Sequence, residues 1–200
     1  MPGKKKSLVS AILVPCVYYE QPGPENTLRT LEIAAKRAEE LGIKNIVVSS
    51  TSGKTGLTAL RFFDPQNLVV VTHSTGFLRS NYQELKPEFR TKLEDAGANI
   101  LTCQHAFGGV GRAVRKKLGT YELEEIIAFA LRNFGEGTKV AIEIAVMAVD
   151  AGLIPGGEPC ISLGGTGKGV DTALLLKPAS AQNFFDVKIM EILAKPRFSS

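Results

Sequence analysis

The chain has no tryptophan, only three cysteines and two histidines, and no long apolar run. Cys16, Cys103 and Cys160 are odd in number and lack CxxC spacing, which argues against a disulfide framework and a cysteine-based zinc site and fits buried thiols in a reducing cytoplasm. No stretch approaches the roughly 18 apolar residues of a membrane helix, so a soluble cytoplasmic protein without a membrane partner is expected. Leu8 to Val14, behind the Lys4 to Lys6 run, imitates a signal peptide but is short and lacks a small-x-small cleavage site. Aromatic residues make up only 7% and rarely adjoin basic ones, and no helix-turn-helix or zinc-finger pattern occurs. No nucleic-acid partner is therefore expected, although the formal charge is +4. That basic balance also suits a small phosphorylated ligand.

What is present is a chain of 200 residues with 44% hydrophobic composition, enough for one sizeable core. Residues 1–13 read as an extension and 14–200 as a single domain. Apolar β-branched runs predict strands at 14–19, 46–48, 68–72, 99–102, 160–163, 172–176 and 187–194. Between them, Leu28, Leu31, Ala35, Ala38 and Leu41 recur at helical spacing and Gly42 ends that helix. Further helices are expected after Thr55 to about Phe63, from Pro87 to Ala96, and over 121–134. The segment 139–151 alternates like a strand in VAIEIAV, but its length and the following Gly152 favour a helix. Strands alternating with helices predict an α/β domain: three α/β/α layers around a mostly parallel sheet.

The candidate site begins where Ile46, Val47 and Val48 run into Ser50, Thr51, Ser52, Gly53, Lys54 and Thr55. A strand that empties into a hydroxyl-rich, glycine-containing loop before a short helix reads as a phosphate cradle, since helix-start amides are unpaired. A turn that merely caps the helix is the competing reading. Gly53, Lys54 and Thr55 mimic the end of a Walker A motif, but Val48 stands where its first glycine belongs, so a triphosphate-wrapping loop is not expected. A second anion loop is predicted at Gly164, Gly165, Thr166, Gly167, Lys168 and Gly169, rich in unobstructed backbone donors. The loop of His73, Ser74, Thr75, Gly76 and Phe77 follows the next strand, and strand ends are where open α/β sheets bind ligands. His73 suits ligand binding, proton transfer or tying down its own loop. Arg79 to Lys86 reads as a mobile loop, and the run Gly108, Gly109, Gly111 with Arg112 to Lys117 as a glycine-rich turn able to hold a phosphate or, equally well, as a solvated helix face. Glu143 and Asp150 sit in apolar surroundings and become chemically interesting if buried.

The run IVVSSTSGKTGLTALRFFDPQNLVVVTHS resembles the carboxyl-terminal α/β domain of pyruvate kinases, whose strand, Thr-x-Ser-Gly-[Arg/Lys]-[Ser/Thr] loop and helix bind the phosphate of a sugar bisphosphate effector. Thr51, Ser52, Gly53, Lys54 and Thr55 fall on those motif positions. YYEQPGPENT, VTHSTGF, GGTGKGVDTALLLKPA, NFFD and KIMEILAKPR extend the resemblance, in order, to stand-alone archaeal and bacterial proteins built like this domain. Members of that group are associated with FMN.

The resemblance implies a pyruvate kinase C-terminal domain-like fold and an FMN-sized ligand. Ser50 to Thr55 would hold its phosphate, while His73, Thr75, Gly76, Phe77, Gly164 to Lys168 and Asp171 would enclose the rest, with Phe77 against the flavin ring. No catalytic residue or metal site is assigned. Pyruvate kinase activity is not expected, because the chain leaves no room for a (β/α)₈ barrel. A regulatory domain binding a sugar phosphate and a flavin-dependent oxidoreductase are the other readings, although no nicotinamide fingerprint accompanies the latter. The expected partner is a phosphorylated small molecule, with self-association left open.

Overall fold

The computed structural model describes residues 11–197. The Lys4 to Lys6 run and the start of the Leu8 to Val14 segment lie outside them. Seven strands form one sheet: β1 (Val17–Tyr19), β2 (Asn45–Ser49), β3 (Leu68–Thr72), β4 (Asn99–Thr102), β5 (Cys160–Gly164), β6 (Thr172–Lys177) and β7 (Lys188–Pro196). Their order across the sheet is β1-β7-β6-β5-β2-β3-β4. β5, β2, β3 and β4 pair in parallel, as do β1 and β7, and only β6 runs against its neighbours. The three-layer, mostly parallel architecture expected from the sequence is what the chain forms.

Among the described residues six α-helices accompany the sheet: α1 (Thr27–Leu41), α2 (Lys54–Ala59), α3 (Pro87–Asp95), α4 (Gly109–Leu118), α5 (Leu123–Arg132) and α6 (Glu136–Asp150). Alternation along each strand divides the core. Ile46, Val48, Leu68, Val70, Ile161 and Leu163 pack with Leu31 and Ala34 of α1, Ala59 of α2 and Leu93 of α3. Val47, Val69, Val71, Leu174 and Leu176 face the other way, onto Ala128 of α5 and Ala141, Ile144, Ala145 and Ala148 of α6. Each fully buried Leu or Ile in these layers contributes about 1.5–3 kcal/mol relative to exposure.

The strand-like alternation of VAIEIAV has a packing cause. Residues 141–148 of α6 are all buried, because the sheet covers one side and α5 and the turn at Ala181–Asp186 flank the other. A helix covered all round loses its polar stripe, and with it the 3.6-residue signature.

Several boundaries differ from expectation. The first strand starts only at Val17, since the preceding described residues make no sheet pairing. The last strand runs on to Pro196, and α2 ends at Ala59. The glycine and cation run 109–117 is helical, with Gly119 in the left-handed conformation closing α4. Of the cysteines only Cys160 is buried, and burial pushes its thiol up to about 12; Cys16 and Cys103 are partly exposed. No helix of the described residues is long and apolar enough to cross a membrane.

Candidate functional site

β2 lies between β5 and β3, so the chain leaves it toward β3 and β4 on one side while β5 occupies the other. This reversal of strand order opens a crevice at the carboxyl ends of β2, β3 and β5. Because β6 is reversed, the β5–β6 connection, including the glycine loop after Gly164, returns over the same crevice. A cleft of about 1090 Å³ occupies it, reaching from Pro24 and Thr27 across both loops to Val140, Ile144 and Met147 of α6.

Ser50, Thr51, Ser52, Lys54, Thr55, His73, Phe77, Gly165, Gly167 and Lys168 all line this cleft. Gly53, Thr75, Gly76, Gly164, Thr166 and Asp171 do not, and their positions show what they do instead. Gly53 has φ +94°, and a Cβ there would meet Leu85 Cδ1 and Phe89 Cβ at 2.7 Å. It therefore lets the β2–α2 loop lie against the start of α3. Thr75 accepts a hydrogen bond from Gln83 Nε2 at 3.3 Å, and the Gly76 amide donates to Tyr82 O at 2.9 Å. Both are thus turned into the structure of the 73–86 loop.

Asp171 is fully buried and organises the edge from below. Its Oδ2 accepts the amides of Gly23 at 3.1 Å and Thr166 at 3.2 Å, and its Oδ1 accepts the Thr172 hydroxyl at 2.9 Å. Three donors on one carboxylate hold the first loop of the chain and the glycine loop together. Gly164 allows the close passage of α6, since a Cβ on it would lie 2.1 Å from Gly137 O.

The hydroxyls of the β2–α2 loop do cap the following helix. Ser50 Oγ accepts the Gly56 amide at 3.0 Å, and Ser52 Oγ lies 3.5 Å from the Lys54 amide. Capping and exposure to the cleft are thus divided among neighbouring residues: Ser50 is buried and committed to the helix, while the Lys54 side chain is exposed on the cleft.

Charge in the cleft is unevenly neutralised. Lys139 Nζ sits 3.0 Å from Glu143 Oε2 and 3.3 Å from Glu136 Oε1. Glu143, almost wholly buried, also accepts the Phe107 amide at 3.0 Å, so this pair is a supported structural ion pair in the cleft wall. Lys54, Arg61, Lys86, Arg112 and Lys168, by contrast, line the cleft with no carboxylate partner among the described residues.

Rings cluster around His73: Phe77 lies tilted by 34° with its centroid 4.1 Å away, and His105 stacks on Phe77 at 4.9 Å. The Arg112 guanidinium covers Phe77 at 4.8 Å. Burial lowers the His105 pKa to about 4, against the pull of Glu143, whose Oε1 lies 3.8 Å from Nδ1, and Nε2 is buried with no hydrogen-bond partner. Glu143, a candidate if buried, is buried, whereas Glu84, Lys86, His105 and Lys139 carry no signal in the sequence beyond residue type. Their convergence depends on which strands are neighbours.

Residues 29–176 match the family model of the pyruvate kinase α/β domain, and the chain belongs to that family. Two solved structures of Cryptosporidium parvum pyruvate kinase are similar to it. One is 16% identical over 73% of this chain with a TM-score of 0.36; the other, a complex with ADP, is 15% identical over 84% with a TM-score of 0.36. The chain spans only 22% and 23% of those two proteins. An NH3-dependent NAD synthetase from Campylobacter jejuni, solved with nitrate, is 14% identical over 55% of this chain and 47% of its own, with a TM-score of 0.32.

Proposed function

We propose that this domain binds a phosphorylated small molecule of FMN size in the cleft at the carboxyl edge of the sheet, and that it acts in the cytoplasm. The observation that carries the reading is the set of cations with no carboxylate partner among the described residues, Lys54, Lys86, Lys168, Arg61 and Arg112, lining one cleft of about 1090 Å³. Ligand pockets usually enclose roughly 300–1,000 Å³, and the cleft, slightly larger than that range, has room for a mononucleotide. Cations without carboxylate partners around a concave surface favour an anionic ligand.

The residues present fit FMN. Lys54 and Lys168, with the Ser52 and Thr55 hydroxyls, would hold the phosphate, and Ile144, Met147 and Phe77 offer apolar and aromatic surface to a flavin ring. Bound flavin would supply electron-transfer chemistry. What this chain's own residues contribute is charge, orientation and exclusion of water. The resemblance to stand-alone domains associated with FMN points the same way.

The test is a titration of the purified chain with FMN, followed by flavin fluorescence and absorption. Saturable binding is expected, and no uptake would overturn the reading. Competition with fructose 1,6-bisphosphate separates FMN from a sugar phosphate as the preferred ligand. Phosphoenolpyruvate-dependent ATP formation is expected to be absent in a coupled assay.

A further inference from the structure

His73 leaves the carboxyl end of β3 with both ring nitrogens engaged. Nδ1 lies 2.8 Å from Glu84 Oε2, and Nε2 lies 3.4 Å from the Thr51 hydroxyl. A carboxylate only accepts, so it fixes the proton of the neutral imidazole on Nδ1. Nε2 is then a bare lone pair, and the Thr51 hydroxyl must be the donor to it. A hydroxyl, a base within reach and a carboxylate that orients the base form the arrangement by which hydroxyl nucleophiles are activated, with looser contacts before substrate arrives.

The three residues come from separate parts of the chain, the β2–α2 loop, the end of β3 and the loop before α3, and all line the same cleft. The side chains of His73 and Glu84 keep 31% and 20% of their exposure, so a molecule in the cleft can reach them. A histidine that merely tied the 73–86 loop to β3 would need only its bond to Glu84. Presenting the second nitrogen to a hydroxyl in the cleft has no role in that tie. Phe77 lies beside the imidazole, tilted by 34° at 4.1 Å between centroids, and Lys54, on the Thr51 loop, lines the same cleft and would supply positive charge for a developing oxyanion.

We propose that Thr51, His73 and Glu84 act as nucleophile, base and orienting carboxylate, giving the cleft a hydrolytic acyl-transfer activity on a carboxylic ester. Thr51 Oγ1 bonds to the carbonyl carbon as its proton passes to His73 Nε2. The carbon–oxygen bond to the leaving group then breaks, and Nε2 protonates the departing alkoxide. Water repeats the sequence in reverse sense: its oxygen bonds to the acyl carbon, its proton goes to Nε2 and then to Thr51 Oγ1, and the acid is released. Ester and water become acid and alcohol with no oxidant or other reactant. Thr51 and His73 are the catalytic residues, and Glu84 is a positioning residue. That the ester carries an anionic group rests on the phosphate-binding reading above; the triad does not.

The test uses the whole chain with a fluorophosphonate probe, in which the Thr51 Oγ1–phosphorus bond forms, the phosphorus–fluorine bond breaks and the proton goes to His73. Peptide mass spectrometry should find the adduct on Thr51 in the wild type and in Thr51→Ser, and none in Thr51→Val. His73→Gln should slow labelling about 100-fold or more, the usual worth of a positioned base. Nitrogen NMR should show His73 with its proton on Nδ1, and Glu84→Gln should move that proton partly to Nε2 and slow labelling. Absence of a Thr51 adduct in folded wild type, equal labelling in His73→Gln, or a proton on Nε2 in the wild type would each overturn the triad. FMN titration of the same preparations reads the binding proposal separately, so either can fail alone.

Discussion

Asp171 Oδ2 accepts the amide of Gly23, 148 positions earlier in the chain, at 3.1 Å from a fully buried position. The same oxygen takes the Thr166 amide, so one carboxylate joins the loop before α1 to the glycine loop over the cleft. Asp171→Ala removes the acceptor from three donors and should destabilise the fold by about 3 kcal/mol or more, because hydrogen bonds to charged groups are worth about 1.5–3 kcal/mol. Urea unfolding measures this. FMN uptake should fall in parallel, even though the Asp171 side chain does not line the cleft. A stable variant with unaltered uptake would show that the glycine loop holds its shape without it.

Glycines on this chain differ in what they permit, and the difference is measurable. At Gly42 the backbone has φ +65° with open space around an added Cβ, so Gly42→Ala should cost about 1 kcal/mol from backbone conformation. At Gly53 the same left-handed strain combines with Leu85 and Phe89 atoms at 2.7 Å from a Cβ. Gly53→Ala should therefore cost about 1–3 kcal/mol more, by overpacking, and displace the β2–α2 loop from α3. Paired denaturation curves for the two variants separate the contributions.

The buried pair of Lys139 and Glu143 tests how the cleft wall is held. Lys139→Met leaves Glu143 buried with only the Phe107 amide and His105 as polar neighbours, and should destabilise by about 3–5 kcal/mol. Replacing both, as Lys139→Met with Glu143→Leu, should recover most of that loss, since well-packed apolar residues often substitute for a buried ion pair at little cost. Thermal unfolding of the single and double variants gives the comparison. A double variant as unstable as the single one would mean that the Phe107 amide depends on Glu143 more than on the ion pair.

Much of this architecture was legible in local patterns. The apolar β-branched runs gave the strands, and helical spacing through Leu31, Ala35 and Ala38 gave α1, because each pattern is set by the face that must be buried; Leu28 and Leu41, expected on that face, are exposed at the two ends of the helix. The reversal of β6 was not legible: Ala173 to Leu176 are buried on both faces, and such a strand reads the same in either direction. Residue type alone brought most of the candidate residues to one cleft, but not what each of them contacts there. Ser50 as a cap and Asp171 as a buried clasp depend on contacts across 6 and 148 positions. Glu84 was part of an irregular polar segment, and nothing local ties it to His73 or Thr51.

Lys54 and Lys168 come from opposite sides of the strand-order reversal, and both are exposed on the cleft. Lys54→Ala and Lys168→Ala should each weaken FMN binding by about 10-fold to 100-fold, in keeping with about 1.5–3 kcal/mol for a hydrogen bond to a charged group. Raising the salt concentration should weaken wild-type binding and shrink the difference between wild type and variants, since exposed charges are screened. Neither substitution should change the unfolding midpoint by much, because neither lysine has an ion-pair partner among the described residues. Equal affinities in all three proteins would place the phosphate elsewhere.

His105 gives the domain a predictable response to acid. Burial lowers its pKa to about 4 from the ordinary 6.5, with Glu143 opposing and His73, Arg112 and Lys139 adding to the depression. Above pH 6.5 the imidazole is neutral in both folded and unfolded chains, and it contributes no pH dependence. Between 6.5 and 4 the unfolded chain binds a proton that the folded chain refuses, so stability falls as the pH falls through that window. At about 1.4 kcal/mol for each pH step the loss approaches about 3 kcal/mol. The unfolding free energy of His105→Gln, measured in urea from pH 7 to pH 4, should lack this component, and an imidazole titration by NMR should place the folded value well below that of a free histidine. A wild type and a His105→Gln variant that lose stability in step would assign the acid response to other groups.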